Sequence, residues 1–173
     1  MTIQGYGHVF SRNPLDRGET ERREDSEIRK KIPDPQSRFL PLRELNLLVN
    51  TGSQSNLSWL THDQLADLGY ESEPIFLGIR DQAYYFAVEV SVDHFSDSAI
   101  RKIGPTLRFV DVRSCGEFLS PEDAGIAAQA RIQTYWHQRY KFCSACGSKT
   151  EMKRAGQVRK CTGCGTDHFP RTD

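Results

Sequence analysis

The spacing of apolar and polar residues changes character along this chain, and each change marks an expected element. Glu19 to Lys31 carries ten charged residues of both signs and almost nothing apolar. Such a stretch has little to bury, so a solvated helix or flexible arm is expected over residues 1–36, with Pro33 and Pro35 ending any helix. From Arg38 the pattern turns strand-like. Residues 39–42 and 45–49 are short apolar runs, Asn50-Thr51-Gly52-Ser53 marks a turn, and 56–60 reads as a further strand. Thr61 and Gln64 have the spacing of a capping box, Leu65 and Leu68 give the short helix an apolar face, and Gly69 can stop it. The clearest strands are 75–79 and 84–90, rich in β-branched and aromatic residues, with a hairpin at Arg80-Asp81-Gln82 that leaves Glu89 and Ser91 facing out. Residues 109–112 form another strand candidate leading into Arg113. Ser120-Pro121-Glu122-Asp123 then combines a cap, a first-turn proline and two acids at the positive end of a helix. One helix is expected from about 121 to 140, with Ala127, Ala128, Ile132, Tyr135, Trp136 and Arg139 at helical spacing and Trp136 and Tyr140 as packing residues.

The chemistry lies beyond that helix. Cys143-Ser-Ala-Cys146-Gly147 and Cys161-Thr-Gly-Cys164-Gly165 are two Cys-x-x-Cys turns, each followed by glycine. Each turn aims two sulfurs at one point, and two turns on facing hairpins complete a tetrahedral site of the structural zinc type. Four thiolates leave zinc no open position, so the metal would be structural; rubredoxin-type iron uses the same four sulfurs. Two knuckles joined by strands at 151–153 and 157–160, turning at Ala155-Gly156, are too short and polar to fold without the ion. The fold class is therefore α+β: a mixed N-terminal α/β domain (37–140) with antiparallel strands, a long helix, then a rubredoxin-like zinc ribbon (141–170).

Composition narrows the function. The chain has 173 residues, 37% of them hydrophobic, and a mean hydropathy of -0.60. Basic and acidic residues number 23 each, so no global charge draws the chain to nucleic acid or to a membrane surface. No apolar run approaches the ~18 residues a membrane helix needs, and no secretory leader is apparent. Four of five cysteines belong to the metal pattern, which fits a reducing, intracellular compartment; Cys115 has no evident base beside it and reads as a small buried or half-buried thiol.

An ordered series of short motifs carries a resemblance. Asn13-Pro14-Leu15-Asp16-Arg17 precedes the charged run, Phe76-Leu77-Gly78 precedes Tyr85-Phe86-Ala87-Val88, and Asp111-Val112-Arg113 precedes Leu119-Ser120-Pro121-Glu122-Asp123-Ala124. Trp136-His137 leads into Phe142-Cys143, and His168-Phe169-Pro170-Arg171-Thr172-Asp173 follows the last cysteine. In these features the sequence resembles the NADH pyrophosphatases, NAD-capped RNA hydrolases of the Nudix superfamily. The resemblance implies an enzyme of three parts: an N-terminal α/β domain, a zinc ribbon, and a C-terminal Nudix domain whose carboxylates hold Mg²⁺ or Mn²⁺. The substrates implied are NAD(H) or NAD-capped RNA, cleaved at the pyrophosphate to NMN(H) and AMP, by a homodimer in the cytoplasm or peroxisome.

By motif position, Arg113 matches an arginine that contacts substrate, and Phe169 matches an aromatic residue lining the dinucleotide site. From the residues alone, Arg113 reads first as a surface arginine at a strand end, and Phe169 equally packs on the ribbon. The family's acidic contact before the third cysteine has no counterpart in Arg154-Ala155-Gly156-Gln157-Val158. The Nudix box is also missing: the nearest approach, Arg23-Glu24-Asp25-Ser26-Glu27-Ile28, has Ile28 where a glutamate belongs. The C-terminal Nudix domain is thus expected to be absent and the chain inactive alone. The basic residues Lys141, Lys149, Lys153, Arg154, Arg159, Lys160 and Arg171 leave open a nucleic-acid- or protein-binding zinc ribbon, and the sulfurs a rubredoxin-like electron carrier. His137 and His168 are read as second-sphere or surface residues, and His8, His62 and His94 have no partner pattern.

Overall fold

The computed structural model describes residues 10, 12–70 and 72–170; His8, Arg171, Thr172 and Asp173 lie outside them. The first unit is a mixed sheet covered by one long helix. Its strands are β1 (Arg38–Arg43), β2 (Asn46–Asn50), β3 (Asn56–Leu57), β4 (Ile75–Arg80), β5 (Ala83–Glu89) and β6 (Leu107–Val110). They run in the order β3-β2-β1-β5-β4, with β6 also on β2. Val49 pairs with both Leu57 and Arg108, so β3 and β6 occupy opposite edges of β2. Both tight hairpins turn through two residues of positive φ without glycine, Glu44-Leu45 and Asp81-Gln82, the twist that a two-residue connection needs. Leu45, expected in a strand, therefore sits in a turn.

The pairing differs from the expected antiparallel set at one place. β1 and β5 run parallel, from Arg38 opposite Tyr85 to Leu42 opposite Glu89. This pair lies mid-sheet and is buried on both faces, as parallel pairs usually are. On one face Phe39, Phe76, Phe86 and Phe95 form a fully buried aromatic cluster, with Phe39 stacked on Phe86 at 5.1 Å. On the other, Leu40, Leu42, Leu47 and Ala87 meet Ala124, Ala127 and Ala130 of the long helix.

The helices are α1 (Asp25–Lys31), α2 (His62–Leu68), α3 (Asp97–Ile103), α4 (Val112–Cys115) and α5 (Pro121–Arg139). The capping box of α2 is formed, and its Gly69 is left-handed at φ 72°. α5 starts where expected, with the Ser120 hydroxyl accepting from Asp123 N at 3.1 Å. Its buried face, however, is partly polar. Gln129, Gln133 and Thr134 point inward beside the alanines, while Ile132 and Tyr135 are exposed. α3 was not anticipated, although Ser96 caps it by accepting from Ala99 N. The expected strand at 109–112 ends at Val110: the Asp111 carboxylate accepts from Arg113 N at 2.9 Å and starts α4 instead.

The segment before β1 packs on this unit. Leu15 and Ile28 are buried, and Asp16 and Ile79 exchange backbone hydrogen bonds of 2.9 and 2.7 Å. Gly18 lies against Phe76 so closely that a Cβ there would meet the ring at 2.9 Å. Charge density along 19–31 concealed Ile28, and the packed residues 15–18 lie just ahead of that run.

Candidate metal centre and the cleft beside it

The ribbon is a three-stranded antiparallel sheet, β7 (Thr150–Lys153), β8 (Val158–Cys161) and β9 (Asp167–His168), in that order. A 3-10 turn at Arg154–Gly156 joins the first two strands. The two cysteine turns repeat one bonding pattern. Cys143 N donates to Ser148 O at 2.8 Å, and Cys161 N donates to Thr166 O at 2.9 Å. Gly147 and Gly165 hold matching left-handed positions at φ 76° and 75°, where a side chain would be strained.

These turns bring Cys143, Cys146, Cys161 and Cys164 together, all four sulfurs within 4.8 Å of one another. Cys143 and Cys164 lie 3.7 Å apart and Cys146 and Cys161 3.4 Å. A zinc ion with Zn–S bonds of about 2.3 Å sets the edge of its sulfur tetrahedron near 3.8 Å, so the donor set fits that ion. Backbone amides already favour thiolate: Ala145 N donates to Cys143 Sγ at 3.4 Å, and Gly163 N and Cys164 N donate to Cys161 Sγ at 3.3 Å. His168 Nε2 stands 3.3 Å from Cys143 Sγ, a hydrogen-bonding neighbour of the cage. Hydrogen bonding by Ser148 brings the Cys146 thiol down to about 6, whereas burial holds Cys143 up at about 11. Cys115 is buried, its thiol pushed up to about 11 by desolvation and then by Asp111, and it is inert as a nucleophile.

His137 ties the ribbon to α5. Its Nε2 lies 2.8 Å from Gly156 O, and its Nδ1 3.0 Å from an Arg159 guanidinium nitrogen. A carbonyl only accepts and a guanidinium only donates, so the ring is the neutral Nε2–H tautomer. Burial, against the Gly156 bond and with the Arg159 charge, lowers its pKa to about 4. Arg159 spends its other nitrogens on Thr150, Nε to Oγ1 at 2.7 Å and Nη2 to the carbonyl at 2.8 Å. It is therefore withdrawn from the basic surface expected of the ribbon, and Lys153 pairs with Glu151 at 3.4 Å.

A chain of amides completes the junction. Asn13 Nδ2 donates to Gln129 Oε1 at 2.5 Å; Gln129 Nε2 donates to Leu77 O at 2.9 Å and to Gln133 Oε1 at 3.2 Å. Gln133 Nε2 then donates to Gln157 Oε1 at 3.0 Å, and Gln157 Nε2 to Phe76 O at 3.2 Å. β4 is irregular between Phe76 and Gly78, and this ladder reaches its carbonyls there. Gly78, at φ 153°, leaves room for Asp16 O, which a Cβ would approach to 2.4 Å.

Beside the ladder opens a cleft of about 830 Å³, walled by α5, the ribbon turn and residues of the N-terminal segment. Phe169 stands at its wall, 59% exposed, and Ile132 is 41% exposed there. Arg113 is elsewhere. It sits in the first turn of α4 with its side chain 86% exposed and its guanidinium 4.0 Å from Asp111. Phe10, which lines the cleft, lies against Gly116 at the end of α4, where a Cβ would meet the ring at 3.3 Å. The two substrate residues expected from the sequence are not brought together. The inward glutamines were missed, although Gln129 and Gln133, one turn apart among the alanines of α5, were a visible break in its apolar face.

A sheet-and-helix unit joined to a four-cysteine ribbon agrees with two family models: the NADH pyrophosphatase-like rudimentary NUDIX domain over residues 36–136 and the NADH pyrophosphatase zinc ribbon domain over 138–169. The chain belongs to this NADH pyrophosphatase-like NUDIX family. It is similar to the NAD-capped RNA hydrolase NUDT12 of Homo sapiens, 26% identical over 204 residues that cover 96% of this chain and 44% of that protein. The Macaca fascicularis protein of the same name matches to the same extent. Nudix hydrolase 19, chloroplastic, of Arabidopsis thaliana is 30% identical over 166 residues, 82% of this chain and 37% of that protein. The chain thus spans less than half the length of these relatives. The ribbon match and the sulfur cluster together support structural zinc. Among the described residues, no helix is long and apolar enough to cross a membrane.

Proposed function

We propose that these residues form the zinc-braced, substrate-side portion of a NAD(H) diphosphatase, with NAD-capped RNA as a second substrate of the same chemistry. The observation that carries the reading is the cleft itself: the domain and the ribbon are locked together by the amide ladder, and Phe169 is left exposed at the wall between them. In the reaction, water attacks one phosphorus of the dinucleotide and the bond to the bridging oxygen breaks, leaving NMN(H) and AMP. Mg²⁺ or Mn²⁺ on Nudix carboxylates would polarise the phosphates. No stretch of these 173 residues carries that carboxylate helix, so binding and orientation fall to this part.

Phe169 would stack on a ring of the dinucleotide. Arg113, which does not line the cleft, is read as a substrate contact by its motif position alone. Cys143, Cys146, Cys161 and Cys164 would hold zinc, whose role is to pin the ribbon and hence Phe169. The assembly is read as a homodimer, which sedimentation would check. The test is NADH hydrolysis with Mg²⁺ or Mn²⁺ by this polypeptide and by a form bearing a Nudix domain in cis. Turnover only in the second supports the reading; equal turnover in both removes it. In the active form, Arg113→Ala should raise KM about tenfold with kcat nearly kept.

A further inference from the structure

The cleft holds a charge imbalance that the fold does not explain. Arg17, Arg22, Arg23 and Arg154 all line it, and Glu19 is the one carboxylate among its lining residues. Glu19 pairs with Arg22 and Arg23. Arg17 and Arg154 have no carboxylate within 4 Å among the described residues; Arg154 is near enough to Glu19 only to add, after Arg22 and Arg23, to what holds that carboxyl below its usual range. Arg17 is held below its usual range by desolvation and by the like charge of Arg22. Guanidiniums gathered in a concave site with too few acids concentrate a positive potential there.

Both of these arginines stand on fixed backbone. Arg17 follows Asp16, which is locked to Ile79 by two backbone hydrogen bonds, and precedes Gly18, packed against Phe76. Arg154 opens the ribbon turn at φ 50°. That turn is pinned on one side by the Asp25 carboxylate accepting from Ala155 N at 2.6 Å. On the other, Gly156, at φ 97°, lies where a Cβ would meet Ile75 at 2.8 Å. A guanidinium on a pinned backbone loses less freedom on meeting a ligand.

The floor has the same polarity. The amide ladder runs in one direction, ending on backbone carbonyls that fix which end of each amide is nitrogen. Every glutamine oxygen in it already accepts a hydrogen bond, whereas Gln133 and Gln157 each have one N–H not used within it. The cleft therefore offers donors on both floor and arginine wall, and an apolar wall at Ile132 and Phe169. An acceptor-only anion joined to a planar ring matches that arrangement.

We propose that the cleft binds the diphosphate of a nucleotide, with Arg17 and Arg154 on the phosphate oxygens and the ring against Phe169. The proposal rests on the diphosphatase reading for the nucleotide, and on the charges alone for the anion. Titration calorimetry of the zinc-loaded protein at low salt with ADP, inorganic pyrophosphate and adenosine tests it. ADP and pyrophosphate should bind, adenosine at least about tenfold more weakly than ADP, and added salt should weaken both anions. Arg17→Gln and Arg154→Gln should each cost about tenfold in pyrophosphate affinity with zinc content and thermal unfolding unchanged. The two arginines lie on separate segments, so misfolding of one variant leaves the other informative. Phe169→Ala should weaken ADP and spare pyrophosphate. Adenosine binding as tightly as ADP, failure of millimolar ADP to bind, or folded arginine variants with unchanged affinity would each overturn it. Pyrophosphate bound by a protein whose Nudix-bearing form never cleaves NADH would refute the diphosphatase reading and leave the anion site standing. NADH cleavage unaffected by Arg17→Gln would do the reverse.

Discussion

The sheet domain and the ribbon are held together by different forces, though they share a junction. The domain buries aromatic and aliphatic side chains on both faces of its sheet, among them Phe39, Phe76 and Phe86. The ribbon buries little: Cys143, Thr150, Ala155, Val158 and Cys161 are its buried residues outside the glycines, and Phe142 and Phe169 are exposed. At roughly 25 cal/mol per Å² of apolar surface removed from water, a few small side chains cannot offset the ordering of some thirty residues. A hydrophobic core can lose one contact and persist; a four-sulfur cage has no redundancy. The half that carries Arg154 and Phe169 is thus the half whose structure depends on an ion.

Chelation should break this comparison open most widely. Bound zinc contributes on the order of 10 kcal/mol to a ribbon of this type. Its removal should collapse amide protection across 141–170 while β1, β5 and β4 stay protected, as hydrogen exchange would read. Cys161→Ser should reproduce the loss and Cys115→Ala should leave zinc stoichiometry unchanged. Protection of the ribbon after complete zinc removal would show that packing suffices.

Next in size is the domain's own weak point. Phe86→Ala opens a cavity under Phe39 and Phe76 and should cost about 3–5 kcal/mol in urea unfolding. Zinc content of the surviving folded fraction should not change, because nothing in the cage touches Phe86.

The junction responds to pH through His137. Its folded pKa, about 4, lies below the ordinary value of 6.5. The unfolded chain therefore binds a proton at pH values where the folded chain does not. Stability is unaffected by this group above pH 6.5 and declines as pH falls from 6.5 towards 4, by on the order of 3 kcal/mol in all. An NMR titration of the ring should find it neutral at pH 6, and His137→Gln should remove its share of the slope. A ring titrating near 6.5 would mean that the Gly156 and Arg159 contacts do not hold it. Smallest is Gln129→Ala, which strips Leu77 O and Gln133 of their partner and should cost about 1–3 kcal/mol. It should loosen the domain–ribbon contact more than either part, seen as exchange at β4 and the 154–156 turn.

How much of this could be read in the chain varied with the range of the interaction. The two Cys-x-x-Cys-Gly turns, the Ser120-Pro121 start of α5 and the Thr61–Gln64 capping box are each complete within five residues, and each formed as expected. Their geometry is local, so residue type and spacing suffice. Ile28 escaped notice as an anchor because one apolar residue is diluted among ten charges, and Leu15 because a lone apolar residue carries no periodicity. β9 and α3 escaped because two and seven residues of mixed polarity carry little periodicity. Asp111 was readable as a cap, but the β-branched run around it favoured a strand.

By itself, the sequence determined the cage and its ligands' spacing, the long helix, the order of domain and ribbon, and the family. Tertiary structure alone decided that β1 pairs parallel with β5, that Arg159 turns inward to Thr150 and His137, and that Arg113 lies apart from Phe169. It also decided that Arg17 and Arg154, 137 positions apart, line one cleft. The reason is that partner choice between distant segments is set by competition for burial and for hydrogen bonds across the whole chain. No local pattern of residues contains that competition's outcome.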